Sequence, residues 1–120
     1  MTIPVDTTAA KVDDSGTGPT IELTTIDEVL GGRRADIIKI DVEGLEERVL
    51  VGASETLGRY KPALIVESLS EPSFEAVRAA LTAHGYDRCE HLAPDCPVKT
   101  TRYVHMSAHA NFLWTAGSAD

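Results

Sequence analysis

Residues 35–44 run Ala-Asp-Ile-Ile-Lys-Ile-Asp-Val-Glu-Gly, and this stretch decides the fold that we predict. Its β-branched and nearly continuous apolar run is typical of a strand that is covered on both faces, as in a parallel sheet. Asp41 and Glu43 follow at the end of the run, and Gly44 permits a sharp turn into a helix. The stretch therefore predicts a buried strand with two carboxylates at its carboxyl end.

A helix and a second strand of the same design follow. Apolar residues recur at helical spacing from Leu45 to Leu57, and Gly58 is the predicted end of this helix. Residues 62–67 form another apolar run, which ends in the carboxylate of Glu67. A strand, a helix and a further strand predict a parallel sheet with a right-handed crossover.

The rest of the chain predicts one more helix and two more strands. Apolar residues on one face predict a helix from about Pro72, which Gly85 terminates. Residues 86–92 and 110–115 predict the two strands, and a polar loop with two prolines and two histidines joins them. The predicted fold class is α/β.

The first residues have a different composition. Residues 1–20 are rich in glycine, proline and aspartate and contain hardly any large apolar side chains, so burial cannot offset the entropy of ordering them. We therefore predict a disordered or poorly ordered tail over residues 1–20 and one folded domain over residues 21–120. Thr25 and Glu28 have the spacing of a capping box, which predicts a short helix that Gly31 closes.

Composition limits the classes of partner. The 120 residues include 11 basic and 19 acidic side chains, for a formal net charge of −8. A sequence-independent nucleic-acid binder needs cations to displace counterions from phosphates, so we expect no nucleic-acid partner. No apolar run approaches the ~20 residues of a membrane helix and no signal-peptide pattern is present, so we expect no membrane association and a cytoplasmic location.

Cys89 and Cys96 lack CxxC spacing and are expected to be reduced thiols.

The candidate site residues are Asp41, Glu43 and Glu67, because ligands of open α/β sheets bind beyond the carboxyl ends of the strands. Asp41 and Glu43 are two residues apart, so their side chains share one direction if the backbone stays extended. Two close carboxylates can raise the pKa of one partner and create a general base, or bind a hard divalent cation through oxygen atoms. The alternative is that they are ordinary acidic residues at a strand exit and a helix start.

The histidines carry weaker signals. His105 and His109 are four residues apart, but the segment around them is too short to predict a helix, so surface positions are expected. His84 and His91 have no partner in the sequence. We therefore predict no metal site.

Several motifs in one order resemble the FkbM-type methyltransferase family. The family pattern contains threonine-leucine-aspartate, then lysine-isoleucine-aspartate-valine-glutamate-glycine, then valine-leucine-x-glycine-alanine. The matching segments are residues 24–30, 35–46 and 49–53, followed by Lys61-Pro62, Glu67, Gly85-Tyr86 and Asn111-Phe112-Leu113. The resemblance covers residues 21–115.

The resemblance implies a class I, S-adenosylmethionine-dependent O-methyltransferase fold, with a seven-stranded doubly wound sheet in the order 3-2-1-4-5-7-6. The four main strands of this chain would be strands 4, 5, 6 and 7 of that sheet, with the last two antiparallel. Strands 1 to 3 would be missing, together with the glycine-rich turn and the acidic residue that hold the cofactor in relatives. The chain would keep the acceptor side of the site and lack the donor side.

The resemblance also implies roles for the candidate residues. Asp41 is the expected acceptor-side base or metal ligand, Glu43 orients it, and Glu67 is a second contact to the acceptor. Family members methylate hydroxyl groups of sugars, polyketides and related metabolites. A small hydroxyl-bearing acceptor and the cofactor S-adenosylmethionine are therefore expected.

The missing strands would leave residues 37–40 as a bare apolar edge, which invites aggregation or pairing with another chain. We expect this edge to be covered by the first 20 residues, by a second copy in a homodimer, or by a companion chain that supplies the missing half. An alternative to catalysis is a non-catalytic interaction module, or a gene fragment, that pairs through the exposed edge.

Overall fold

The computed structural model describes residues 2–6, 23–42, 44–106 and 110–117. Within these residues, the elements in chain order are β1 (Thr2–Asp6), α1 (Ile26–Leu30), β2 (Ile37–Asp41), α2 (Glu46–Val51), α3 (Ser54–Tyr60), β3 (Ala63–Glu67), α4 (Glu71–Thr82), β4 (Tyr86–Leu92), β5 (Pro97–Lys99) and β6 (Asn111–Ala116). No helix in this part of the chain combines the length and the apolar composition that a membrane crossing requires.

The strands form one mixed sheet in the order β1-β2-β3-β6-β4-β5. β1, β2 and β3 are parallel, β6 is antiparallel to both β3 and β4, and β5 is antiparallel to β4. The predicted α/β class and the parallel pairing of the first two predicted strands are confirmed. The strand predicted at residues 86–92 is β4, and the last strand is β6 at Asn111–Ala116 instead of residues 110–115. β5 lies in the segment that was predicted to be a loop.

The first strand covers the edge of β2. Thr2 is registered with Ile37 and Asp6 with Asp41, and the two strands run in parallel. Residues 2–6 therefore form a strand where a disordered or poorly ordered tail was predicted, and of the three covers expected for the β2 edge the structure supports the first, the first 20 residues. Composition does not reveal this strand, because the pairing gives partners to backbone N–H and C=O groups whatever the side chains are. The remaining residues of the predicted tail lie outside the described residues.

The hydrophobic core lies between one face of the sheet and the helices. The buried residues of the central strands on this face are Ile38, Ile40, Leu64, Val66, Phe112 and Trp114. The helix predicted from about Pro72 is confirmed as α4, and its Phe74 packs on this face. The Phe74 ring centroid lies 4.9 Å from that of Phe112 and 5.2 Å from that of Trp114. Aromatic packing of this kind stabilises the contact between α4 and the sheet.

On the other face of the sheet, no side chain of β2 to β6 is buried. Ile37 is 39 % exposed, whereas its neighbour Ile38 is completely buried. The prediction that β2 is covered on both faces is therefore wrong, because the described residues place apolar packing on one side only. We call this surface the open face. On β2 to β6 it comprises Ile37, Lys39, Asp41, Ala63, Ile65, Glu67, Arg88, Glu90, Leu92, Pro97, Lys99, Asn111, Leu113 and Thr115.

The segment predicted as one helix from Leu45 to Leu57 is two helices, α2 and α3, and Gly58 lies inside α3. The chain turns at Gly52, where an added Cβ would lie only 3.0 Å from side-chain atoms of Thr25. The Gly52 carbonyl also accepts a hydrogen bond of 3.1 Å from the N–H of Asp27. The prediction of a single helix is wrong because the start of α1 packs against the backbone at Gly52. The spacing of apolar residues along the sequence does not indicate this contact.

Asp27, on α1, caps the N-terminus of α3. Its Oδ1 accepts hydrogen bonds from the Thr56 N–H (3.0 Å) and hydroxyl (2.7 Å), and its Oδ2 accepts one from the Glu55 N–H (3.0 Å). Burial raises the pKa of Asp27, but these hydrogen bonds, together with the charge of His84, outweigh burial and lower the pKa overall. Of the predicted capping box at Thr25, the N-cap half is confirmed, because the Thr25 side chain accepts from the Glu28 N–H, whereas the Glu28 carboxylate accepts from the Thr24 hydroxyl. An ionised carboxylate therefore joins α1 to α3.

Replacing Asp27 with alanine is expected to lower the free energy of unfolding by about 1–3 kcal/mol, because two N–H groups and a hydroxyl lose their acceptor. The folded pKa lies below the ordinary value of 3.8, so this stabilisation is present above pH 3.8 and is lost as the pH falls through the folded pKa. Urea denaturation at neutral and at acid pH measures both effects.

The control for this substitution is Asp95→Ala, which removes an exposed carboxylate. Its free energy of unfolding is expected to stay within about 0.5 kcal/mol of the original chain. Equal stability of the Asp27→Ala and Asp95→Ala variants at neutral pH would contradict the capping role.

Candidate functional site

Two of the predicted site residues meet at one edge of the sheet. Asp41 is the last residue of β2 and Glu67 is the last residue of β3. Ile40 is registered with Val66 in the parallel pair, so Asp41 and Glu67 follow on neighbouring strands whose backbones are about 4.8 Å apart. Both side chains are half-buried and belong to the open face. Glu43, the third predicted residue, lies outside the described residues.

Asn111 extends this pair into a row across three strands. It is the first residue of β6, it is half-buried, and its Cα is registered with that of Glu67. Directly opposed residues of neighbouring strands share a face, so Glu67 lies between Asp41 and Asn111. We call these three residues the carboxyl-edge row. Sequence reasoning did not assign Asn111 to the site, because its pairing with Glu67 is a long-range contact, although the residue belongs to a motif of the resemblance.

Among the described residues, three buried oxygen atoms at this edge have no hydrogen-bond partner: Asp41 Oδ1, Asn111 Oδ1 and Ser68 Oγ. Ser68 directly follows β3, is completely buried, and donates its N–H to the Ala110 carbonyl at 2.9 Å. Buried polar atoms are nearly always paired, and an unpaired one costs about 1–3 kcal/mol. An edge with three unpaired oxygens is therefore suited to a ligand that donates hydrogen bonds, such as one with hydroxyl or amino groups.

The described histidines His91 and His105 are not part of this edge. His91 is buried on the other face, where its ring centroid lies 5.1 Å from that of Phe112. His105 is exposed, as predicted, and its Nδ1 lies 3.4 Å from the Tyr103 hydroxyl. His109 lies outside the described residues. Within the described part of the chain, no three side chains of His, Cys, Asp or Glu are placed to hold a metal ion.

A second candidate is a cavity of about 110 Å³ on the face that α4 covers. Its polar and aromatic lining includes Arg78, Asp87, Cys89, Thr100 and Trp114. Burial, reinforced by the charge of Glu90, raises the pKa of the Cys89 thiol to about 12. The thiol therefore stays protonated at neutral pH and is a poor nucleophile. Cys89 and Cys96 are both free, as predicted.

The family comparison covers the two strands that carry Asp41 and Glu67. The model of the family described as "Methyltransferase FkbM domain" matches residues 4–88 of the chain. This match covers more than two thirds of the 120 residues and includes the strands that carry Asp41 and Glu67. It begins inside β1, within the segment predicted as a tail, and ends in β4, before Asn111. Comparison with curated proteins and with solved structures gave no match.

Replacing Ser68 with alanine is expected to leave the free energy of unfolding unchanged or to raise it by up to about 1 kcal/mol, because the removed hydroxyl is buried without a partner. Thr56→Val is the matched comparison, since the Thr56 hydroxyl is buried and donates to Asp27. That variant is expected to lose about 1 kcal/mol or more. Chemical denaturation measures both, and an equal loss in the two variants would show that the Ser68 hydroxyl is paired after all.

Proposed function

The chain belongs to the FkbM methyltransferase family, and on that premise we propose that it acts in S-adenosylmethionine-dependent methyl transfer to a hydroxyl group of a sugar, polyketide or related metabolite. The observation that carries the proposal is the carboxyl-edge row, with unpaired oxygen atoms on Asp41 and Asn111. A hydroxyl group donates a hydrogen bond, and an unpaired carboxylate oxygen can accept that bond and then remove the proton.

The strand order supports this assignment. If β2, β3, β4 and β6 are strands 4, 5, 6 and 7 of a class I methyltransferase sheet, the order β2-β3-β6-β4 corresponds to its 4-5-7-6 portion. The antiparallel strand β6 then takes the place of strand 7. On the same assignment β1 would take the place of strand 1, since it lies parallel to β2 on the side away from β3. Ligands of such sheets bind beyond the carboxyl ends of the strands, which is where the carboxyl-edge row lies.

In the proposed reaction Asp41 is the general base. S-adenosylmethionine, when bound, supplies a methyl group on a positively charged sulfur, so the leaving group is already activated. The chain's own task is then alignment of the acceptor and removal of one proton. The acceptor hydroxyl donates its hydrogen bond to Asp41 Oδ1, and the carboxylate takes the proton that the hydroxyl loses. Glu67 and Asn111 contact neighbouring groups of the acceptor, and Glu43 orients Asp41.

The described residues fit the acceptor better than the cofactor. They provide unpaired hydrogen-bond acceptors at the carboxyl edge of the sheet. Residues 7–22, which follow β1, lie outside the described residues. We propose that the groups that hold the methionine and ribose moieties come from that segment, from a second copy, or from a companion chain.

The proposal is tested by a methyl-transfer assay with labelled S-adenosylmethionine and a panel of sugar and polyketide acceptors. Asp41→Asn preserves the size of the side chain and removes its charge, so the rate is expected to fall at least about 100-fold. Glu47→Gln removes an exposed carboxylate of α2 and is expected to leave the rate unchanged.

Two results would contradict the proposal. Full activity of the Asp41→Asn variant would exclude Asp41 as the general base. If the original chain neither transfers the methyl group to any acceptor of the panel nor releases heat when S-adenosylmethionine is added in a calorimeter, the proposed activity of this chain is wrong.

A further inference from the structure

One row of side chains on the open face is complementary in charge to the same row of a second copy. Lys39 of β2, Ile65 of β3, Leu113 of β6 and Glu90 of β4 are successive register partners across the sheet. Lys39 is exposed, and the other three are half-buried. Register partners on neighbouring strands share a face, so these four residues, which we call the middle row, run from a cation through two apolar side chains to an anion. Lys99 of β5 follows as the register partner of Glu90, so a second cation lies beside the anion within the same copy.

The position of the middle row in the sheet allows a symmetric partner. The sheet has six strands, and its midline passes between β3 and β6. A two-fold axis along this midline, parallel to the strands, places β2 of one copy over β4 of the other and β3 over β6. We propose that two copies of the chain stack their open faces about this axis, with Lys39 opposite Glu90 of the second copy and Ile65 opposite Leu113.

Charge selects this axis over the other face-to-face arrangement. An axis perpendicular to the strands and centred on the middle row would place Lys39 over Lys39 and Glu90 over Glu90, and like charges across an interface repel. Within one copy, Lys39 and Glu90 are three strand spacings apart, about 14 Å, which is too far for them to pair with each other. Neither residue forms an ion pair with another side chain in the described part of the chain.

The neighbouring residues fit the same arrangement. Ala63 comes to lie opposite Thr115 of the second copy, and these small side chains near the axis allow the ~10 Å separation of stacked sheets. Ile37, which is 39 % exposed, comes to lie over the aliphatic stem of Arg88. Four facing strands and three rows give a contact of roughly 400 Å² per copy. This is at the low end of specific interfaces, so we expect a dimer that dissociates on dilution.

The dimer does not rest on the proposed function, because it depends only on the sheet and its charges, although its contact includes Glu67 and Asn111 of the carboxyl-edge row. Since the axis is parallel to the strands, the carboxyl edges of both copies lie at the same end of the dimer. Glu67 of one copy then lies opposite Asn111 of the other. The dimer can form without cofactor or acceptor, so its absence and the absence of methyl transfer are separate results.

Sedimentation equilibrium of the full chain over a concentration series tests the dimer, whose mass is twice 12.9 kDa. Lys39→Glu and Glu90→Lys each create two like-charge pairs across the axis, and each is expected to raise the dissociation constant at least about tenfold. The double variant restores two opposite-charge pairs and is expected to return the constant to within about threefold of the original value.

The charge-matched control is Arg48→Glu, on the exposed surface of α2, which is expected to leave the dissociation constant unchanged. Circular dichroism establishes that all variants are folded. Restoration in the double variant supports the interface, because two independent defects would add instead of cancelling. A chain that is monomeric at all concentrations up to about 1 mM, or a dimer that responds to neither single reversal, would overturn the proposal.

Discussion

The parallel pairing of β2 with β3 is the contact on which the rest of the structure depends. It places Ile40 beside Val66 on the face that the helices cover, and the same register brings Asp41 and Glu67 to one edge. Because side chains alternate along a strand, a slip of one residue in β2 would bury Lys39 and expose its apolar neighbours. The core and the candidate site are therefore two consequences of one register.

Polar side chains are paired by hydrogen bonds in one part of the molecule and left unpaired in another. At the contact between α1 and α3, both oxygens of Asp27 accept hydrogen bonds, which stabilises the ionised carboxylate and the end of α3. At the carboxyl edge, Asp41, Asn111 and Ser68 each keep a buried oxygen without a partner among the described residues. The first arrangement contributes to stability. The unpaired oxygens at the carboxyl edge lower the stability of the free chain, and they leave hydrogen-bond acceptors available for a ligand.

The sequence predicts those features that a local pattern determines. The apolar runs of β2 and β3 and the one-sided apolar pattern of α4 are such features, and Asp41 and Glu67 follow from them because parallel strands bring their carboxyl ends together. The family resemblance adds the order of the strands and the class of reaction.

Features that depend on contacts distant in the chain could not be predicted. β1 is recognised only by its pairing with β2, since its residues have the composition of a tail. The turn at Gly52 depends on the approach of Thr25 from another helix. Asn111 joins the candidate site through its register with Glu67, and no spacing in the sequence indicates that pairing. The open face could not be predicted either, because the apolar sequence of a strand does not indicate whether one or both of its faces are covered.

The chain contains a single asparagine, Asn111, no glutamine, and a single tryptophan, Trp114. A nitrogen–proton correlation spectrum therefore has one pair of side-chain amide signals at the carboxyl-edge row and one indole signal beside the cavity on the opposite face. Titration with a hydroxyl-bearing acceptor, in the presence of the demethylated cofactor, is predicted to shift the Asn111 amide signals and to leave the Trp114 indole signal in place. A shift of the indole signal with no change at Asn111 would contradict the account.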